Sequence, residues 1–297
     1  MPSTPPVSAD TESITPVLGT GPVAAHSATA APESRIPNPE SPSPQPSVPV
    51  PTPELLDQLR RDSDRLESAT PKEILAWAVE RYFPKLTMAT AFGPEGCVIL
   101  HYLAEVEPRV HVFNLDTGYQ FAETLELRER IKRRYGIEVE MKQPELSVAQ
   151  YEAFHGGPLY KTQPDRCCFD RKVKVLQQAA VGFDAWMSGI RRDQSPDRAK
   201  APIVGWDKKF GLVKVSPLAN WTKQDVWKLI TDLDIPYNPL HDQGYTSIGC
   251  WPCTRAVMFG EDERAGRWSG FAKTECGLHS LEAASANDEA APRATGL

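Results

Sequence analysis

The stretch LTMATAFGPEGCVILHYLAEVEPRVHVFNLDTG, residues 86–118, sets two short β-prone runs around one apolar helical segment and ends each run in a turn of small and polar residues. Leu86–Ala91 and Val110–Leu115 predict buried strands, and the segment around Gly96–Leu103 predicts the helix between them. A strand, crossover helix and strand in about thirty residues form a parallel unit. Outward from it, Glu54–Arg65 and Thr70–Tyr82 read as helices, the second opened by Thr70, Pro71 and Glu73 as a capping box. Downstream, Phe121–Tyr135 is a helix stopped by Gly136, Ile137–Met141 a strand, Arg171–Ala180 a helix and Ala185–Gly189 a short buried strand. Thr222-x-x-Asp225 opens a helix carrying Val226, Trp227, Leu229 and Ile230. The fold class expected is α/β, a mostly parallel sheet flanked by helices, with ligands beyond the carboxyl ends of its strands.

The chain has 297 residues and 28 prolines, and 14 of those prolines fall in residues 1–53, beside only five Asp, Glu or Arg. That stretch lacks the apolar periodicity that would offset the entropy of ordering it, and predicts a disordered extension. The rest is long enough for a sizeable core without disulfides. With 33 Lys and Arg against 39 Asp and Glu, the net charge of −6 argues against a long nucleic acid as partner but leaves room for a local cationic pocket. No apolar run is long enough to span a membrane and no signal-peptide pattern opens the chain, so the expected location is cytoplasmic.

After the first strand, Thr90-Ala-Phe-Gly-Pro-Glu-Gly96 could present backbone N–H groups to phosphate, with Thr90, Phe92 and Gly93 as candidate contacts. It matches neither the dinucleotide nor the Walker A fingerprint, and an ordinary tight turn explains it as well. The second strand ends in Asn114-Leu-Asp-Thr-Gly118, where Leu115, Asp116 and Gly118 could meet a base or a hydroxyl. Arg191 and Arg192, with Arg198 nearby, and Arg264 with Arg267 are candidate anion clamps, since guanidinium groups match phosphate and sulfate oxygens. A solvated charge run is the bland alternative for the first group.

The six cysteines are unevenly placed. Cys167-Cys168 and Cys250-Trp-Pro-Cys253 together supply four soft ligands, enough for a [4Fe–4S] cluster or a structural zinc ion, and buried or redox-active thiols remain a third option. Lys172, four residues after Cys168, could bridge that site and an anionic substrate. Cys97 sits at the start of an apolar helix and reads as core. Cys276, in Lys273-Thr-Glu-Cys-Gly-Leu-His279, becomes a nucleophile if neighbouring cations stabilise its thiolate; a non-catalytic thiol and metal ligation are the alternatives.

Taken together, CCFDRK, CWPC, EDERAGRW and KTECGLH, with LDTG, IRRDQSPDR, SPLANWT and PYNPLHDQGYTSIGCWPC between them, closely resemble the assimilatory adenylyl sulfate reductase branch of the sulfonucleotide reductases over residues 70–281. The resemblance implies an adenine nucleotide α-hydrolase-like core and a [4Fe–4S] cluster on Cys167, Cys168, Cys250 and Cys253. It further implies Cys276 as nucleophile, Lys172, Arg264, Arg267 and one of the Arg191 and Arg192 pair on the phosphosulfate, and His279 as a positioning group. Thioredoxin or a similar dithiol would be the reductant. The loop departs from the family's serine-containing S-F-G or S-G pattern in carrying Thr90-Ala91-Phe92-Gly93-Pro94, which puts backbone donors in place of some side-chain hydrogen bonds.

The domain plan implied is a proline-rich extension at 1–53, a nucleotide- and iron–sulfur-binding core at 54–260, a C-terminal catalytic segment at 261–282 and a flexible tail at 283–297. A homo-oligomer is compatible with it. Two alternatives stand beside it: reduction of the 3′-phosphorylated substrate, and a zinc-stabilised nucleotide-binding interaction protein.

Overall fold

The computed structural model describes residues 48–271, 273, 277 and 278. The proline-rich stretch to residue 47 and the tail from 279 lie outside them, and so do Cys276 and His279.

Two helices lead in, α1 (Pro53–Leu66) and α2 (Pro71–Tyr82). Thr70 accepts from the Glu73 backbone and Glu73 reaches back to the Thr70 N–H, the capping box read from the sequence. Then follow β1 (Leu86–Ala89), α3 (Pro94–Val106), β2 (His111–Leu115), α4 (Ala122–Tyr135) and β3 (Val139–Lys142). Gly136 ends α4 at φ 69°, the left-handed cap that glycine takes without penalty. A short helix α5 (Val148–His155) leads to a broken helical rod. In it α6 (Pro164–Cys168) and α7 (Lys174–Ala179) are joined by a π turn over Phe169–Val173 where an unbroken helix was expected. The remaining elements are β4 (Ala185–Met187), β5 (Val204–Asp207), β6 (Leu212–Val215) and α8 (Lys223–Asp232), the last capped by Thr222 and Asp225.

The strands form one sheet in the order β3-β2-β1-β4-β6-β5. All neighbours run parallel except β5 and β6, an antiparallel pair at one edge. That edge is covered: Ser63 Oγ on α1 accepts from Ile203 N at 3.1 Å and Val204 N at 3.3 Å. The fold is thus the expected α/β sheet with helices on its faces, plus a hairpin the sequence did not predict.

Helix α3 fixes the centre. Cys97, Val98, Ile99, Leu100 and Leu103 are fully buried against Leu86, Met88, Val112 and Val215, so Cys97 is core, as expected. Burial pushes the Cys97 thiol up to about 12, and it stays protonated and inert. Chain order reverses between β1 and β4, and the crevice outside their carboxyl ends is where such sheets bind ligands. Among the described residues, no helix is long and apolar enough to cross a membrane.

Candidate active site

Three loops meet above that crevice. After β1, Thr90 N donates to Phe113 O at 2.9 Å and Asn114 Nδ2 donates to Thr90 O at 2.8 Å, tying the loop to β2. Thr90 Oγ1 accepts from Phe92 N at 3.0 Å and so turns the chain, with Phe92 buried at φ 56°. A Cβ on Gly96 would stand 2.6 Å from Thr90 Oγ1, and one on Gly189, after β4, 2.9 Å from Glu95 Cβ. Gly189 therefore lets the post-β4 loop touch the start of α3, while Gly96 lets the post-β1 loop fold back on Thr90. Beside them Ser188 Oγ is buried with no hydrogen-bond partner among the described residues, a candidate ligand contact that the sequence reading missed.

After β2, the LDTG turn is held from inside. Asp116 accepts from Gly118 N at 2.9 Å and from Gln143 Nε2 at 2.7 Å, while Gln120 Nε2 donates to Leu115 O at 3.1 Å. Gly118 sits at φ 76°, and a Cβ there would meet Val148 at 2.6 Å and Arg171 at 3.2 Å. Arg171 is 3% exposed, donates to Thr117 O at 2.6 Å and to Leu146 O at 3.2 Å, and lies between the Tyr119 and Tyr151 rings. It welds this turn to the π turn.

The arginines separate by task. Arg191 is fully buried among carboxylates: Glu95 at 2.8 Å, Asp193 at 2.7 Å and Glu263 at 3.7 Å. Arg192 turns away to Glu67, Asn220 and the Ala201 carbonyl. Arg264 and Arg267 converge, their Nη1 atoms 3.5 and 3.3 Å from Ser247 Oγ. The Arg267 guanidinium also lies 4.4 Å from the Trp268 ring, directly over Gly249, where a Cβ would come within 2.2 Å of it.

The four cysteines share one narrow cavity, walled also by Thr117, Lys172, Arg267 and Trp268. Burial first, then the neighbouring thiols, push Cys167 up to about 12 and Cys253 up to about 11. Burial would raise Cys250 too, but Lys172, the Thr117 hydroxyl at 3.3 Å and Arg267 outweigh it and hold this thiol below its ordinary value. Lys172 lines the same cavity as the four cysteines.

The cofactor expectation is corrected here. Among the described residues no group of three or more His, Cys, Asp or Glu is placed to hold a metal ion. Sequence spacing brought the four side chains to one wall, but Cys167, Cys168, Cys250 and Cys253 do not close around a [4Fe–4S] cluster, and the same finding removes a zinc ion. The expected nucleophile Cys276 and its partner His279 lie outside the described residues.

Residues 85–256 match the phosphoadenosine phosphosulfate reductase domain family. A phosphoadenosine 5′-phosphosulfate reductase of Gloeobacter violaceus is 48% identical over 217 residues, 72% of this chain and 90% of that protein. An adenosine 5′-phosphosulfate reductase of Shouchella clausii is 46% identical over 217 residues, 73% of this chain and 90% of that protein. Among solved structures, a phosphoadenylyl-sulfate reductase from Candida auris in a phosphate complex superposes with a TM-score of 0.61 at 32% identity, covering 70% of this chain and 98% of that one. With its sheet order and these relatives, the chain belongs to the phosphoadenosine phosphosulfate reductase family.

Proposed function

We propose that the chain is a thioredoxin-dependent adenylyl sulfate reductase, converting adenosine 5′-phosphosulfate to sulfite and AMP in assimilatory sulfate reduction and so in cysteine biosynthesis. The observation that carries this reading is the cationic cavity beside the nucleotide crevice, walled by Lys172 and Arg267 next to the Thr117 turn. The same field suits a phosphosulfate and a thiolate nucleophile. Relatives named as adenosine 5′-phosphosulfate reductases, from Shouchella clausii and Bacillus pumilus among others, support the substrate.

In this reading the nucleotide lies over the post-β1, post-β2 and post-β4 loops, with Thr90, Phe92, Gly93, Leu115, Asp116 and Gly118 around it. Arg264, Arg267 and Lys172 bind the phosphosulfate. Arg191, neutralised by carboxylates, braces the crevice, and Arg192 supports it from outside. The Cys276 thiolate attacks the substrate sulfur. The bond from sulfur to the bridging oxygen breaks, AMP leaves with the electron pair, and Cys276 carries an S-sulfonate. A dithiol partner then attacks the Cys276 sulfur, sulfite departs with the electron pair, and the partner's second thiol frees the enzyme while forming its own disulfide. His279 orients the segment or the substrate.

The same reading divides the chain at residues 53, 260 and 282, with the reductase core in the second part and the catalytic segment in the third, and locates the enzyme in the cytoplasm with no membrane or nucleic-acid partner. A homo-oligomer is compatible with it. The test is transfer of ³⁵S from labelled adenylyl sulfate to the purified chain, followed by sulfite release with reduced thioredoxin. Label that appears on Cys276 and vanishes in Cys276→Ser supports the reading, and sulfite production persisting in that variant refutes it. A second reading, preference for the 3′-phosphorylated substrate, is favoured by the name of the Gloeobacter violaceus relative; comparing the two nucleotides side by side decides between them.

A further inference from the structure

The turn between β5 and β6 is held by a set of contacts from Asp207 and has no part in the chemistry above. Asp207 locks it: Oδ1 accepts from Lys209 N at 3.1 Å, the carbonyl accepts from Gly211 N at 2.8 Å, and Lys214 Nζ stands 3.7 Å from Oδ2. Gly211, at φ 65°, closes the turn in a conformation that suits glycine. From this platform the Lys209 ammonium donates to the carbonyl of Gly277. The next residue, Leu278, packs into the apolar cluster of Phe113, Val173, Leu176, Phe210 and Leu212.

The same segment is tied at its other end. The Lys273 side chain is 8% exposed, pairs with Asp165 and lies 5.4 Å from the centre of the Trp268 ring. Asp165 stands in the first turn of α6, two residues before Cys167. Lys273 is therefore fastened beside the cysteine cavity, and Gly277 and Leu278 are fastened on the hairpin.

We propose that Lys209 is a positioning residue, which seats Gly277 and Leu278 on the β5–β6 hairpin and thereby sets where the adjoining residue, Cys276, delivers its thiol. The proposal rests on the reading of Cys276 as the nucleophile. A thiol on a loosely held chain end meets the substrate sulfur rarely in attack geometry, and fixing the neighbouring peptide raises that frequency without touching the substrate. A charged donor to a carbonyl is among the stronger hydrogen bonds, so Lys209 suits the task better than a neutral side chain would.

The test is single-turnover labelling of the full chain with ³⁵S adenylyl sulfate, with AMP affinity measured in parallel. Lys209→Met keeps the aliphatic stem and loses the donor; labelling of Cys276 should slow about tenfold while AMP binds as before. Lys209→Arg, which keeps a donor, should recover most of the rate. Leu278→Ala should slow labelling in the same sense. Labelling of Cys276 in Lys209→Met at the wild-type rate overturns the proposal alone. Failure of Lys209→Arg to recover, or weakened AMP binding in Lys209→Met, also overturns it by showing general damage. Absence of label in the wild-type chain, or label that survives Cys276→Ser, sinks the nucleophile reading itself and this proposal with it.

Discussion

The Arg191 guanidinium and the Glu95 carboxylate meet at 2.8 Å between the post-β4 loop and the first turn of α3, with the arginine wholly out of solvent. Glu263 approaches the same guanidinium from the C-terminal arm at 3.7 Å. Burial raises the Glu263 carboxyl above its usual range, while Lys223 and Arg191 oppose that shift. One cation thus joins three parts of the chain. Arg191→Ala leaves those acids without their shared partner and should destabilise the fold by about 3–5 kcal/mol, read from urea unfolding. A loss below about 1 kcal/mol, the scale of an exposed pair, would show that the guanidinium is not the joint described.

Gly249 makes a sharper, more selective case. A Cβ there would lie 2.2 Å from the Arg267 guanidinium, the far end of a flexible side chain that can move aside. Gly249→Ala should therefore cost little stability yet displace Arg267 from its seat over Trp268. Sulfonucleotide turnover is expected to fall about tenfold in kcat/KM, checked by steady-state kinetics beside an unfolding curve.

At Gly189 the neighbour is less yielding. A Cβ would press on Glu95 Cβ at 2.9 Å and on Gly96 N at 3.4 Å, both at the start of α3. Gly189→Ala should widen the β1–β4 crevice and weaken AMP binding by about tenfold, measured by calorimetry. Unchanged affinity would mean that the nucleotide lies elsewhere.

His241 gives stability a pH dependence with a definite sign. Burial holds its imidazole below the ordinary 6.5, and it packs edge-on against Trp227 at 5.3 Å. The folded chain prefers the neutral ring, so the unfolded chain binds more protons, and stability is lost as pH falls below 6.5 toward the lower folded value. The urea midpoint should drop between about pH 7.5 and about pH 5.5, and His241→Gln should flatten that slope. His101, also lowered by burial, accounts for a remainder.

Much of this was readable where the signal is local. The capping pairs Thr70 with Glu73 and Thr222 with Asp225, and the left-handed Gly136, each act within a few residues, and each is where the sequence put it. The β5–β6 hairpin was missed because Val204–Asp207 and Leu212–Val215 flank a four-residue Lys-Lys-Phe-Gly turn instead of the usual two-residue one, and because β6 is placed by pairing with the distant β4. Arg191 shows the same limit at the site. Its charge suggested an anion clamp, yet the partners that neutralise it come from positions 95, 193 and 263. The cysteine spacing foretold a shared wall, but among the described residues that wall forms no metal site.

The π turn at Phe169–Val173 works as a phase adjuster. Each residue of an α-helix advances about 100° around the axis, so the extra residue accommodated in a π turn shifts the faces before and after it by about that angle. Upstream, the rod can aim Cys167 and Cys168 at the cavity; downstream, it can bury Val175, Leu176 and Ala179 under the sheet. Neither orientation constrains the other. Deleting one residue between 169 and 173 would lock the two phases together, and the chain could then keep its cysteine face or its packed face, but not both.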